Sequence, residues 1–176
     1  MYPFYREEDL FPREFTQVIE RSWGYIYYSP DNPDSYDSNH ALIFRDRITD
    51  LPAVLAEIAD FYLSRGMRPI IYQSILDDGW FGEIAEELAA AGYRSWQEAQ
   101  HWMLLDSESR ITAQADVRRV TAWTEDLATY LYEAAGEPWE IAVARRQLEN
   151  PNTLYFAAYE DGRPVGAIYG LSLIHI

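Results

Sequence analysis

Carboxylates and hydroxyls are plentiful in this 176-residue chain, but arrangements that do chemistry by themselves are sparse. There is no cysteine, which excludes disulfides, thiolate metal sites and a cysteine nucleophile. His40, His101 and His175 stand far apart and show no metal-ligand spacing. Asp77-Asp78-Gly79 places two carboxylates side by side in a turn composition, and two carboxylates without further ligands do not define a cation site. No Gly-x-Ser-x-Gly elbow is present, so a hydrolase nucleophile has no place here. The densest polar stretch is Ser35-Tyr36-Asp37-Ser38-Asn39-His40. Asp37, Asn39 and His40 could hold a polar ligand; the same residue types also build a turn satisfied by its own side chains.

The elements that must position such groups read as alternating helices and strands. A helix is expected over 51–64, where Leu51, Val54, Leu55, Ile58, Phe61 and Tyr62 form one apolar stripe. Thr49 or Asp50 can cap it, Pro52 suits its first turn, and Gly66 suits the left-handed position after its end. Strands are expected at 25–28, 40–44 and 69–72 from their aromatic and β-branched content, with a helical turn before the first. A second helix is expected over 80–91, ended by Gly92, and strand over 96–105. Residues 106–116 break every apolar period and read as a linker. Beyond it come a strand at 117–121 and a helix capped by Thr124, with Leu127, Tyr130, Leu131 and Ala134 inward. After Gly136 a further helix runs to Glu149, before Asn150-Pro151. Two strands, 153–160 and 163–169, then flank Asp161-Gly162, a strong hairpin signal because both residues tolerate positive φ.

Composition bounds the setting. A net charge of −15 repels nucleic acid and anionic membranes and suits a cationic acceptor such as an amine, although ordinary solubility also accounts for it. No apolar run approaches the roughly 18 residues that would span a membrane, and no secretory leader follows Met1. The expectation is a cytoplasmic protein.

The order strand, helix, helix, strand, Asp-Gly turn, strand over 117–170 resembles the opening half of a GNAT-type N-acetyltransferase domain. The residues that carry the resemblance are Leu154-Tyr155-Phe156-Ala157-Ala158-Tyr159-Glu160-Asp161-Gly162-Arg163-Pro164-Val165-Gly166, preceded by two helices broken at Gly136-Glu137-Pro138. Residues 1–105 resemble a degenerate GNAT-like module, through helix, strand, helix and Gly92-Tyr93. The implied fold is α/β: a mixed, mostly antiparallel sheet with flanking helices, an N-terminal module, and an incomplete GNAT domain.

The resemblance implies an acyltransferase that moves an acetyl group from acetyl-CoA to a small-molecule or peptide amine. Strand main chain at Ala167, Ile168 and Tyr169 would contact the cofactor, while Glu137 and Trp139 would wall the acceptor pocket. No catalytic residue and no metal site are assigned. The family's Gln/Arg-x-x-Gly-x-Gly/Ala run, whose backbone amides hold the pyrophosphate, does not occur in the chain. Leu171-Ser172-Leu173-Ile174-His175-Ile176 reads as translated sequencing-adapter DNA. The expectation is therefore a truncated, inactive fragment, in which His175 is not a catalytic base. The alternative expectation is a non-catalytic binding or regulatory module. Acceptor identity and oligomeric state are not legible in the sequence.

Overall fold

The structure, a computed structural model, describes residues 8–96, 115–138 and 140–171. The chain divides into two compact units, 1–99 and 100–176. Both are mixed α/β, with mostly antiparallel sheets and flanking helices. The expected linker 106–116 lies outside the described residues up to 114, and Asp116, expected to be its last residue, is the first of a strand. The expected strand over 96–105 also lies outside them beyond Trp96.

The first unit is a four-stranded sheet in spatial order β1 (Gln17–Arg21), β2 (Gly24–Tyr28), β3 (His40–Ile43), β4 (Ile71–Gln73). β1 replaces the helical turn expected before β2. Its residues pair antiparallel with β2 across a tight turn at Ser22-Trp23, a partnership that a local reading of 15–23 does not contain. β3 and β4 are parallel, so a crossover must join them, and α1 (Leu51–Leu63) supplies it.

α1 begins where Asp50 accepts a hydrogen bond from Ala53 N at 3.1 Å. It ends where Gly66 takes φ 70° and Met67 N returns to Tyr62 O at 2.9 Å. Its buried residues Val54, Ile58, Phe61 and Tyr62 pack on Ile26, Ala41 and Ile43 of the sheet and on Trp23 of the β1–β2 turn, with Met67 and Trp80 completing the core. The helix expected over 80–91 is instead α2 (Trp80–Glu83) and α3 (Ala85–Ala90), broken at Ile84. Gly82 lies in the first of these and weakens it, while the Gln73 side chain caps that helix by accepting from Phe81 N at 2.7 Å.

On the opposite sheet face Tyr27, His40 and Leu42 are buried. The Tyr27 hydroxyl donates to Asp9 O, and the Asp9 carboxylate accepts from Ser74 Oγ at 2.6 Å and Ile75 N at 3.0 Å. Burial pushes the Asp9 carboxyl up, against the pull of those two bonds. The His40 ring stacks on Tyr72 at 4.3 Å, and burial drives its pKa down to about 4.

Two measurements check this packing. A Cβ on Gly24 would meet Leu42 O at 2.0 Å, against backbone that cannot yield. Gly24→Ala should cost at least about 2 kcal/mol in denaturant unfolding. The neutral His40 gives the folded unit stability that is present above the unfolded pKa of 6.5 and lost as pH falls towards 4. Asp9 acts in the opposite sense, because its raised pKa favours the folded state as it protonates. Between pH 7 and pH 5 the unit should lose about 2 kcal/mol more than a His40→Phe variant does, read by urea unfolding at both pH values.

Candidate functional site

The second unit is built on a three-stranded antiparallel sheet of β5 (Asp116–Val120), β6 (Thr153–Glu160) and β7 (Arg163–Leu171), in that order. Asp161 at φ 50° and Gly162 at φ 79° close the β6–β7 hairpin. Pairing sets Tyr155 opposite Tyr169, Phe156 opposite Ile168 and Ala157 opposite Ala167. Between Ala158–Gly166 and Tyr159–Pro164 the register slips by one, leaving Val165 as the extra residue of a β-bulge. One sheet face packs Val120, Tyr155 and Ala157 on Leu127 and Ala144 of the helical layer.

That layer departs from the sequence expectation. Thr124 occupies the capping position with extended backbone but makes no side-chain capping bond. One α turn, α4 (Glu125–Leu127), passes into a π-helical segment, Ala128–Glu133. Its wide turn is marked by Ala134 N to Thr129 O at 3.0 Å, five residues apart, and it ends around Gly136, where Glu137 N returns to Tyr132 O at 2.8 Å. The wider turn rotates the inner face. Leu127 and, partly, Leu131 face the core as expected, but Tyr130 and Ala134 are exposed and Tyr132 packs inward. α5 (Glu140–Glu149) follows after Gly136 at φ 78°.

A groove of about 440 Å³ lies between this π segment and the start of β7. It is lined by Tyr130, Leu131, Tyr132, Ala134, Ala135, Val165, Gly166 and Ala167. The bulge puts Val165 at its wall. Arg163 sits at its rim, with the guanidinium 5.7 Å from the Tyr130 ring centre. Beneath it the Tyr132 and Tyr155 hydroxyls meet at 2.6 Å, Trp123 stacks on Tyr132, and Tyr169 stacks on Tyr155. Burial raises both phenols, and the hydrogen bond with Tyr155 raises Tyr132 further, so both are protonated at neutral pH. The lining holds no carboxylate, imidazole or cation, so its chemistry is apolar contact, main-chain hydrogen bonding and phenol donors.

The expected cofactor-contacting trio is split by strand alternation. Ala167 lines the groove, Tyr169 lies on the same face against Tyr155, and Ile168 points to the opposite face, 69% exposed. Glu137 is exposed and is not part of the lining; its amide closes the π segment. Trp139 lies outside the described residues. Of the turn 135–139 expected to wall the acceptor pocket, Ala135 lines the groove; sequence reasoning missed Tyr130, Leu131, Tyr132, Ala134, Val165 and Gly166 as lining. The only sequence signal was the five-residue spacing of Leu127 and Tyr132, which a search at helical spacing passes over.

The other expected polar sites have internal partners. Asn39 accepts from Ser29 N at 2.8 Å and donates to Asn32 O and Ser35 O, both at 2.7 Å. His40 Nδ1 donates to Tyr36 O, and Asp77 accepts from Arg45 N. Among the described residues no three His, Asp or Glu side chains come together as a metal site, and no helix is long and apolar enough to cross a membrane. Comparison with models of protein families gave no match, and neither did comparison with curated proteins or with solved structures.

Two side chains among the described residues of this unit have buried polar atoms without partners, Trp123 at its indole nitrogen and Gln147 at both atoms of its amide. Gln147 of α5 is buried, and both its amide nitrogen and oxygen lack hydrogen-bond partners. A buried amide without partners costs about 1–3 kcal/mol. Gln147→Met should therefore raise stability by about 1 kcal/mol in urea unfolding, and a loss of stability would show that the amide is satisfied in solution.

Proposed function

We propose that the chain carries the acyl-donor half of an N-acetyltransferase of GNAT type, working in the cytoplasm, with the groove beside β7 as its site for the acetyl-pantetheine arm of acetyl-CoA. The observation that carries this reading is the open groove formed where the helical layer meets β7, after a hairpin of the family's kind. An extended, mostly apolar arm with amide groups suits a narrow groove walled by a strand and by small residues (Ala134, Ala135, Gly166 and Ala167).

The fit to the rest of the cofactor is incomplete. The chain has no glycine-rich run to present amides to a pyrophosphate, and Arg163 stands over Tyr130 of the lining at 5.7 Å from the ring centre. The Tyr132–Tyr155 pair lies beside the groove as a protonated hydrogen-bond source. Acetyl-CoA, when bound, would supply the thioester acyl group; transfer to a neutral amine would form the amide carbon–nitrogen bond as the carbon–sulfur bond breaks, with the amine proton passing to the departing thiolate to give coenzyme A. What this chain's residues contribute is orientation of the arm and exclusion of water, and no residue is assigned as acid or base. The acceptor is an amine, a small molecule or a peptide. The negative charge of the chain suits its ammonium form before proton loss.

The absence of any titratable carboxylate or imidazole from the lining favours a second reading, a binding or regulatory module without catalysis. Amide NMR titration separates the readings. Acetyl-CoA and acetyl-pantetheine should shift residues 130–135 and 165–167 with the same weak affinity, a dissociation constant above about 0.1 mM, since the pyrophosphate has no amide cradle. Tight, micromolar binding of acetyl-CoA would show a pyrophosphate site elsewhere in the chain. No shift at the groove up to several millimolar would leave only the non-catalytic reading.

A further inference from the structure

Among the described residues, β7 pairs with β6 on one side and with no strand on the other. It has nine residues, and its outer side presents a row of backbone donors and acceptors. Such an edge is a template for another strand, and proteins normally blunt it with charge, proline or short length. β7 has few of these defences. Its single charge, Arg163, is its first residue, and Pro164 lies at the bulge. From 165 to 171 the strand has neither a charge nor a proline. Val165 and Ile168 are 58% and 69% exposed.

We propose that β7 is the contact between two copies of this chain, paired antiparallel about a two-fold axis at Ala167, so that two three-stranded sheets become one of six strands. The strand is self-complementary in that register. Val165 of each copy faces Tyr169 of the other, a β-branched and aromatic pair of the type that stabilises antiparallel strands. Gly166 faces Ile168, which gives the isoleucine room. Arg163 faces Leu171, so the two guanidinium groups lie at opposite ends of the contact, and a register centred near Arg163 would instead bring them together. The uncharged strip is also where two chains of net charge −15 can approach at least electrostatic cost.

The same register continues a row across the sheet face away from the helical layer, apolar apart from Arg119, which lies opposite Phe156. Phe156 lies opposite Ile168 within one sheet, and Val117 and Gly166 both lie opposite Ala158. Joined at Ile168 and Gly166, the row runs Phe156, Ile168, then Gly166, Ala158 and Val117 of the second copy. An unrelated extended peptide would satisfy the backbone, but the matched side-chain register singles out the chain itself as the partner. This proposal does not rest on the acetyltransferase reading, and its test uses no cofactor.

The test is sedimentation velocity of the full chain from about 1 to about 100 µM, together with amide hydrogen exchange across the same range. The expected result is a dimer whose fraction grows with concentration, with exchange slowing at residues 165–171. The double variant Val165→Lys, Ile168→Lys alters two exposed side chains and should leave near-ultraviolet circular dichroism unchanged. It should weaken dimerisation at least about 10-fold. A wild-type chain that remains a monomer throughout, or a dimer that the double variant retains, overturns the proposal. Should the double variant fail to fold, the wild-type exchange pattern decides: slowing on β7 supports the contact, and slowing confined to other segments overturns it.

Discussion

The second unit depends on the register of β6 against β7. Asp161 and Gly162, both at positive φ, form a two-residue connection whose twist suits antiparallel strands. That connection fixes which residues of β6 face the helical layer. A slip by one residue would turn Tyr155 and Ala157 out of the core and bring Phe156 and Ala158 in. The extra residue at Val165 then re-aims the first part of β7 without disturbing the pairs beyond it. Turn and bulge together place Val165, Gly166 and Ala167 along one wall of the groove.

The opposite wall follows from a second departure from regular geometry. In a straight α-helix, Tyr130 would share a face with Leu127. The π segment shifts the phase, so Tyr132 meets the sheet and its hydroxyl finds Tyr155 at 2.6 Å. Burial of a tyrosine hydroxyl is tolerable only with a partner, and here each phenol supplies the other. This bond, the stacking of Trp123 on Tyr132 and the stacking of Tyr169 on Tyr155 join loop, helix and sheet in one aromatic cluster. The site that results is lined by apolar groups and main chain, while the unit's acids lie outside the lining.

In the first unit, polar side chains serve the fold itself. Glu57 on α1 accepts from Arg21 at 2.6 Å and from Trp23 at 2.9 Å, fastening the β1–β2 turn to the helix. Asp9 fastens its own segment to the residues after β4, and Asn39 closes the loop before β3 with three hydrogen bonds. His40 is neutral and packed between rings. In the polar stretch around 35–40, the side chains of Asn39 and His40 are thus bonded to backbone of the same loop.

The sequence by itself determined the mixed α/β class, the helix after Asp50 with its Gly66 end, the strand at β3, and the Asp-Gly hairpin, while leaving the helix cap open between Thr49 and Asp50. Each follows from neighbours along the chain: helical spacing, a capping carboxylate, residues that accept positive φ. Only the tertiary structure decided that β1 is a strand, that the helix expected over 80–91 breaks at Ile84, that Thr124 makes no side-chain capping bond, and that residues 128–133 are π-wound. Those outcomes depend on partners outside each segment, such as β2 across the turn for β1 and Tyr155 for the inward turn of Tyr132. The groove belongs to the same class. Its walls come from segments about thirty residues apart, and strand alternation, which gave Ile168 to the other face, acts on whichever register the hairpin and bulge have set.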